Sequence, residues 1–231
     1  MIMHELKTPV STINGYLQLV QAHLSKRDDK KLLGYTDNIA EQVHRLTSLI
    51  NGLLNSSKIR AVGFDYQEKI FDINEVVTAT IKDVQKTTNT HKISQEGIVV
   101  RYVKGDRERI SQVLINLLIN AIRYSPNTNK VIVRIAVKDN KVIISVEDFG
   151  IGISKINQKK IFERFFRLKN PDDETFYGVG LGLDISSQIV HHHKGKIWVE
   201  STEGKGSSFN FSIPVLNPRK VIHNQSIQGL L

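Results

Sequence analysis

The chain has 231 residues, 40% of them apolar and 24% charged, with no cysteine and a formal charge of +9. That length can bury one large core or two small ones. The missing cysteines exclude a disulfide framework and any thiolate chemistry, and no apolar run approaches the roughly 20 residues a membrane helix needs. The lysines and arginines are scattered, with a mild cluster in KKIFERFFRLK but no zinc-ligand spacing and no unbroken basic helix face. Net charge alone speaks to solubility and association, so no nucleic-acid partner is expected.

Residues 1–62 carry no strand-like alternation. Ile2, Leu6, Pro9, Ile13, Leu17, Val20 and Leu24 recur at steps of three and four, an apolar seam of one helix. SKRDDK (25–30) breaks the pattern, and Leu32, Ile39, Val43, Leu46, Ile50 and Leu53 resume it. Two amphipathic helices around a polar turn predict a helical hairpin. One seam per helix makes a thin core, so a second copy is expected to complete a four-helix bundle on dimerisation.

Residues 63–69 read as a linker, and the texture changes after them. FDINEVV predicts a helix start with Asp72 as N-cap and Glu75 three residues on. GIVVRYV predicts a strand, and GDRERISQVLINLLINAIRYS a long helix capped by Asp106 and stopped by Pro126. KVIVRIAV and KVIISVEDF predict a hairpin around KDN. Further helices are expected near 155–166 and 181–193, then two strands in GKIWVES and GSSFNFSIPV. Mixed hairpins and helices over 70–217 predict an α+β sandwich, one sheet covered by helices. The tail from 218 to 231 shows no clear period.

Three stretches of this second domain are odd as plain structure. In EDFGIGI, Asp148 ends an apolar strand, and Gly150 and Gly152 follow. Glycines permit positive φ and let a ligand approach the main chain. The carboxylate can accept a hydrogen bond from an exocyclic amine, which in principle separates adenine from guanine; the plain alternative is a turn. In GVGLGL, Gly178, Gly180 and Gly182 lead into a helix, whose N-terminal N–H groups and dipole favour phosphate. The spacing fits neither the dinucleotide fingerprint nor a Walker motif, and a glycine loop without a ligand is the alternative.

In NLLINAIRYS, Asn116 and Asn120 share one face of an otherwise apolar helix, and two buried amides are costly without a task. A neutral amide oxygen suits Mg²⁺ when phosphates already supply negative charge. Arg123 and Tyr124 follow within reach of phosphate or ribose; an ordinary polar face remains the alternative. Phe162, Phe165 and Phe166 read as core or hinge packing, and the polar stretch 168–177 as a lid. HHHKG (191–195) places its ligands side by side with no spaced carboxylate, so a helix end is favoured over a metal site.

Taken in order, HELKTP, NLLINAIRYSP, EDFGIGI, FERFFR and GVGLGL resemble the H, N, first glycine, F and second glycine boxes of bacterial sensor histidine kinases. The resemblance spans residues 1 to about 216. It implies a dimerisation and histidine-phosphotransfer hairpin over 1–62, then an ATP-binding domain of the Bergerat or GHKL type shared with gyrase and MutL. By position, His4 matches the phosphoacceptor, Glu5 the adjacent catalytic acid, and Thr8 a polar residue that helps position water for dephosphorylating a response regulator. Asn120 matches the Mg²⁺ ligand and Asn116 the other amide of that box. Asp148 matches the adenine-binding carboxylate, with Gly150 and Gly152 beside it. Gly178, Gly180 and Gly182 match the phosphate-facing loop.

At about 100° per residue the seam of the first helix centres nearly opposite His4, Thr8, Ser11 and Gly15. His4 is therefore expected on an exposed face of small residues, with Pro9 bending the helix just beyond it. The implied activity is ATP-dependent autophosphorylation on His4 and transfer to an aspartate of a response regulator receiver domain. ATP and Mg²⁺ are the implied cofactors. A silent ATP-binding module and a GHKL-type ATPase are the alternatives. Only three residues precede His4, so a sensor or membrane part is expected upstream of a cytoplasmic core. Met3 stands where the family commonly has serine, and HHHKGK replaces a more usual His-Gly-Gly.

Overall fold

The computed structural model describes residues 13–18, 20–22, 24, 32, 34–37, 39, 40, 43, 66–167 and 180–216. The chain divides into two compact units, Met1–Phe64 with Asp172–Leu181, and Asp65–Pro171 with Gly182–Leu231. His4, Glu5, Thr8, Gly178, the expected lid at 168–177 and the tail all lie outside the described residues.

In the first unit the described residues are helical on both sides of the expected turn. Leu17 and Val43 are buried together with Ala40 packed against them. Four residues on, Gln21 donates from Nε2 to Asp37 Oδ1 at 2.7 Å. Pairings that run 17 with 43 and 21 with 37 are antiparallel, as a hairpin requires. Of the other described seam residues, Ile13, Val20, Leu32 and Ile39 remain 44–50% exposed in the single chain.

The second unit begins with β1 (Lys69–Asp72), α1 (Ile73–Gln85), β2 (Lys92–Glu96), β3 (Tyr102–Gly105) and α2 (Arg107–Arg123). It continues with β4 (Lys130–Lys138), β5 (Lys141–Asp148), a short α3 (Lys155–Gln158), α4 (Gly182–His192), β6 (Lys196–Thr202) and β7 (Gly206–Pro214). Five strands form one sheet in the order β2-β4-β5-β7-β6, and β1 pairs with β3 separately. All pairings in the larger sheet are antiparallel except β2 with β4. That is an α+β fold, built from a mixed sheet and helices.

Local chemistry accounts for most boundaries. Asp72 Oδ1 accepts from Asn74 N at 2.9 Å and caps α1, and Asp106 Oδ1 accepts from Arg109 N at 3.1 Å and caps α2. Asp139 and Asn140 both take positive φ in the two-residue turn joining β4 to β5, which matches the twist of a hairpin. Along β5 the odd and even positions separate: Val142, Ile144 and Val146 are fully buried. Facing them are Phe209, Phe211 and Ile213 of β7, and Leu114, Leu117 and Leu118 of α2 also lie in this core.

Two expectations are corrected. GIVVRYV is strand only from Tyr102, in β3 (Tyr102–Gly105); Ile98 and Val100 are 79% and 59% exposed, so hydrophobicity without a neighbouring strand did not make that stretch a strand. The helix expected near 155–166 is a single turn, Lys155–Gln158, followed by successive turns to Phe166. The strand β2, read in the sequence as nothing in particular, is held by the parallel ladder to β4.

Candidate nucleotide site

The parity of β5 places the key carboxylate. Asp148 follows Val142, Ile144 and Val146 at steps of two, so its side chain turns to the helix-covered face at the strand's end. It is 3% exposed. Its Oδ1 accepts from Gly150 N at 2.9 Å and from Ser207 N at 3.3 Å. Oδ2 accepts no hydrogen bond among the described residues and is free for a ligand donor. Burial raises the carboxyl's pKa above the usual carboxylate value, while the two backbone N–H groups oppose that shift and Glu147 adds to it.

Asp148 lines a cavity with about 520 Å³ of empty space, part of it open to solvent. Ile151, Ile153, Ile161, Phe166, Leu183 and Phe209 supply apolar walls. Asn120, Tyr124, Arg167 and Ser207 supply the polar ones, and Gly152 completes the rim. A largely apolar cavity with one buried carboxylate in its lining fits a purine carrying an amine. Asn120 of α2 makes no side-chain hydrogen bond among the described residues, so its amide oxygen is available to a cation or phosphate-bound water.

The expected site residues do not all meet. Asn120, Tyr124, Asp148 and Gly152 meet at the cavity. Asn116 does not line it: its Nδ2 donates to Ser186 Oγ of α4 at 3.0 Å, and a Cβ on Gly182 would overlap its Oδ1. Asn116 and Gly182 therefore contribute to packing α4 against α2, and the close approach of the Asn116 amide gives position 182 a reason to be glycine. Arg123 is half-buried at the last turn of α2 and is not among the cavity residues. Gly180 takes φ +71° just before α4.

The glycines beside Asp148 also have protein reasons. Gly152 has φ +68°, and a Cβ there would strike the Thr202 carbonyl. Gly150 needs no positive φ; a Cβ would overlap the carbonyl oxygen of Tyr124, where Ile151 N donates at 3.1 Å. The expected approach of a ligand is thus replaced, at Gly150, by the approach of the protein's own backbone. Gly150→Ala must push the strand end away from α2. We expect it to cost about 2–3 kcal/mol of stability, read as a lowered urea midpoint.

Sequence reasoning missed Ser207, whose N–H fixes Asp148 and whose hydroxyl contacts Ser201 Oγ at 3.0 Å. Nothing in GSSFNFSIPV distinguishes it from a plain strand residue. It also read Phe166 as packing and gave Arg167 no role, whereas both line the cavity. The histidine run closes a helix: His193 is buried, donates from Nδ1 to Ile189 O at 2.7 Å and accepts at Nε2 from Asp106 N at 2.9 Å. His192 stacks on Tyr66 with ring centroids 3.4 Å apart. No group of three or more His, Asp or Glu side chains suited to a metal occurs among the described residues.

Residues 1–62 match the His Kinase A phospho-acceptor domain, and residues 105–217 match the histidine kinase-, DNA gyrase B- and HSP90-like ATPase family. The sensor histidine kinase WalK of Bacillus subtilis is 33% identical over 219 residues, covering 92% of this chain and 35% of that protein. The chain thus spans about a third of that relative's length. Among solved structures, the Acinetobacter baumannii histidine kinase AdeS superposes with a TM-score of 0.63 at 29% identity, covering 93% of this chain and 98% of that one. The histidine kinase ThkA, in a complex with the response regulator protein TrrA, gives 0.66 at 29% identity, covering 93% of this chain and 60% of that one. No helix among the described residues is long and apolar enough to cross a membrane. With a phosphoacceptor-type hairpin ahead of a GHKL-type nucleotide fold, the chain belongs to the sensor histidine kinases of two-component systems.

Proposed function

We propose that this chain binds ATP with Mg²⁺ in the cavity around Asp148, phosphorylates His4, and passes the phosphoryl group to an aspartate of a response regulator. The observation that carries the reading is the buried carboxylate with one oxygen fixed by Gly150 and Ser207 and the other free toward an apolar slot. Asp148 accepts the adenine amine, the isoleucines and Phe166 enclose the base, and Asn120 and Arg167 face the polyphosphate. Asn120 is the residue that fits Mg²⁺, because its amide is unengaged and faces the cavity. The bound cation supplies charge neutralisation at the transferring phosphate.

His4 provides the nucleophilic nitrogen, and Glu5 orients the ring by holding its other nitrogen. The γ-phosphorus–oxygen bond to ADP breaks as the nitrogen–phosphorus bond forms, and the imidazole proton passes to Glu5 or solvent. Positioning and charge stabilisation carry most of the rate. The half-exposed seam residues Ile13, Val20, Leu32 and Ile39 support a second copy completing a four-helix bundle. ThkA's complex with a response regulator supports a receiver domain as the acceptor.

Incubation with γ-labelled ATP and Mg²⁺ tests the reading. Bound label that survives alkali and is lost in acid is expected; sustained phosphate release without it points to a GHKL-type ATPase. ATP binding with neither points to a silent module. Thr8, four residues after His4 in the sequence, is proposed to position water for dephosphorylating the regulator. Thr8→Ala should slow loss of phosphate from a labelled receiver about tenfold or more, with autophosphorylation unchanged; an unaltered decay rate removes that role.

A further inference from the structure

We infer that Arg164 and Asp184 form a positioning clamp, fixing the 161–167 turn so that Phe166 and Arg167 face the nucleotide; this rests on the nucleotide reading above. Phe165 stands in the left-handed region at φ +63°. That conformation is costly for a bulky side chain. Burial of the ring does not offset the cost, since Phe165 is 50% exposed. Some other contact must hold the turn in place.

The neighbouring residue supplies it. Arg164 donates from Nε to Asp184 Oδ2 at 2.9 Å, and Gln188 donates from Nε2 to Asp184 Oδ1 at 2.8 Å. Both carboxylate oxygens are thereby occupied. The arginine and aspartate side chains are only 25% and 17% exposed, so solvent screens this pair less than an open surface pair. Asp184 lies in the first turn of α4, where the helix dipole also favours negative charge.

The consequence falls on the cavity. The left-handed residue reverses the chain between Arg164, tied to α4, and Phe166 and Arg167, which line the cavity. Leu183, next to Asp184, lines it too. One ion pair therefore ties together two segments, around 164 and 184, whose neighbours line the cavity. Neither Arg164 nor Asp184 is among the lining residues, so both act through their neighbours.

The test is a double-mutant cycle on ATP affinity, measured calorimetrically with Mg²⁺ for the whole chain. Arg164→Ala and Asp184→Ala should each weaken binding roughly fivefold, and the double variant no more than either single. Arg164→Lys, which keeps the charge, should recover most of the loss. Adding Phe165→Asn to Arg164→Ala should also restore affinity, because asparagine tolerates left-handed backbone without a clamp; a general loss of packing would not respond to it. Unchanged affinity in the single variants, additive losses in the double, or failure of both rescues overturns the clamp while ATP binding by the native chain leaves the nucleotide reading standing. A native chain that binds no ATP overturns both.

Discussion

His4→Gln should abolish acid-labile phosphate on the protein while leaving ATP affinity within about twofold. Glutamine keeps size and polarity but has no nucleophilic nitrogen, since its amide lone pair is delocalised. His4 is also remote in sequence from every cavity residue, so nucleotide binding has no reason to change. The measurement is bound label from γ-labelled ATP after alkali and after acid, beside calorimetric ATP titration of the same samples. Label remaining on the variant would move the acceptor to another side chain. A smaller effect is expected at Glu5: Glu5→Gln retains a hydrogen-bonding group but loses the base, and should slow labelling by about 100-fold.

Asp148→Asn should weaken ATP binding roughly 10- to 100-fold without destabilising the free protein. An asparagine oxygen can still accept from Gly150 and Ser207, the two bonds that hold Oδ1 now. The remaining group then becomes an NH₂ facing the adenine amine, donor against donor. The free protein loses only a carboxylate whose ionisation burial disfavours.

The sign of the pH dependence follows from the same geometry. The folded pKa of Asp148 lies above its unfolded value, so its favourable contribution to stability is present below the unfolded pKa and fades as pH rises through the folded one. Binding has the opposite slope, because the adenine amine requires the ionised form. ATP affinity should therefore fall as pH is lowered through the raised pKa, and Asp148→Asn should flatten that inflection while leaving any step from the phosphates in place. Affinity titrations of both proteins across the acid range, with thermal melts of the free forms, check both claims. A native profile superimposable on that of the variant would remove Asp148 from base recognition.

Much of the fold was legible because local chemistry and tertiary structure agreed. Asp72 and Asp106 announce helix starts through side chains that can satisfy free N–H groups, and both do so. KVIISVED was legible as an apolar strand ending in Asp148, but with Val142, Ile143 and Ile144 in a row only the folded sheet shows that Asp148 shares the buried face with Val142, Ile144 and Val146. Pro126 stops α2 for a reason contained in its own ring. Where a stretch depended on a partner distant in sequence, the reading faltered. HKISQE is a strand because β4 offers it a ladder, and GIVVR is not one although it is richer in β-branched residues.

The candidate site divides along the same line. Residue types and order were enough to group Asn120, Tyr124, Asp148 and Gly152, which the fold brings to one cavity. Only the tertiary structure decided what each position does. Gly150 is small to admit the Tyr124 carbonyl, Asn116 and Gly182 fasten two helices, and Ser207 reaches Asp148 from a strand 59 residues away. Phe166 and Arg167 line the cavity next to Phe165, whose left-handed backbone is one that no phenylalanine favours by itself. A sequence records which groups can react or bind; which of them meet depends on long-range contacts whose energies are set by the whole fold.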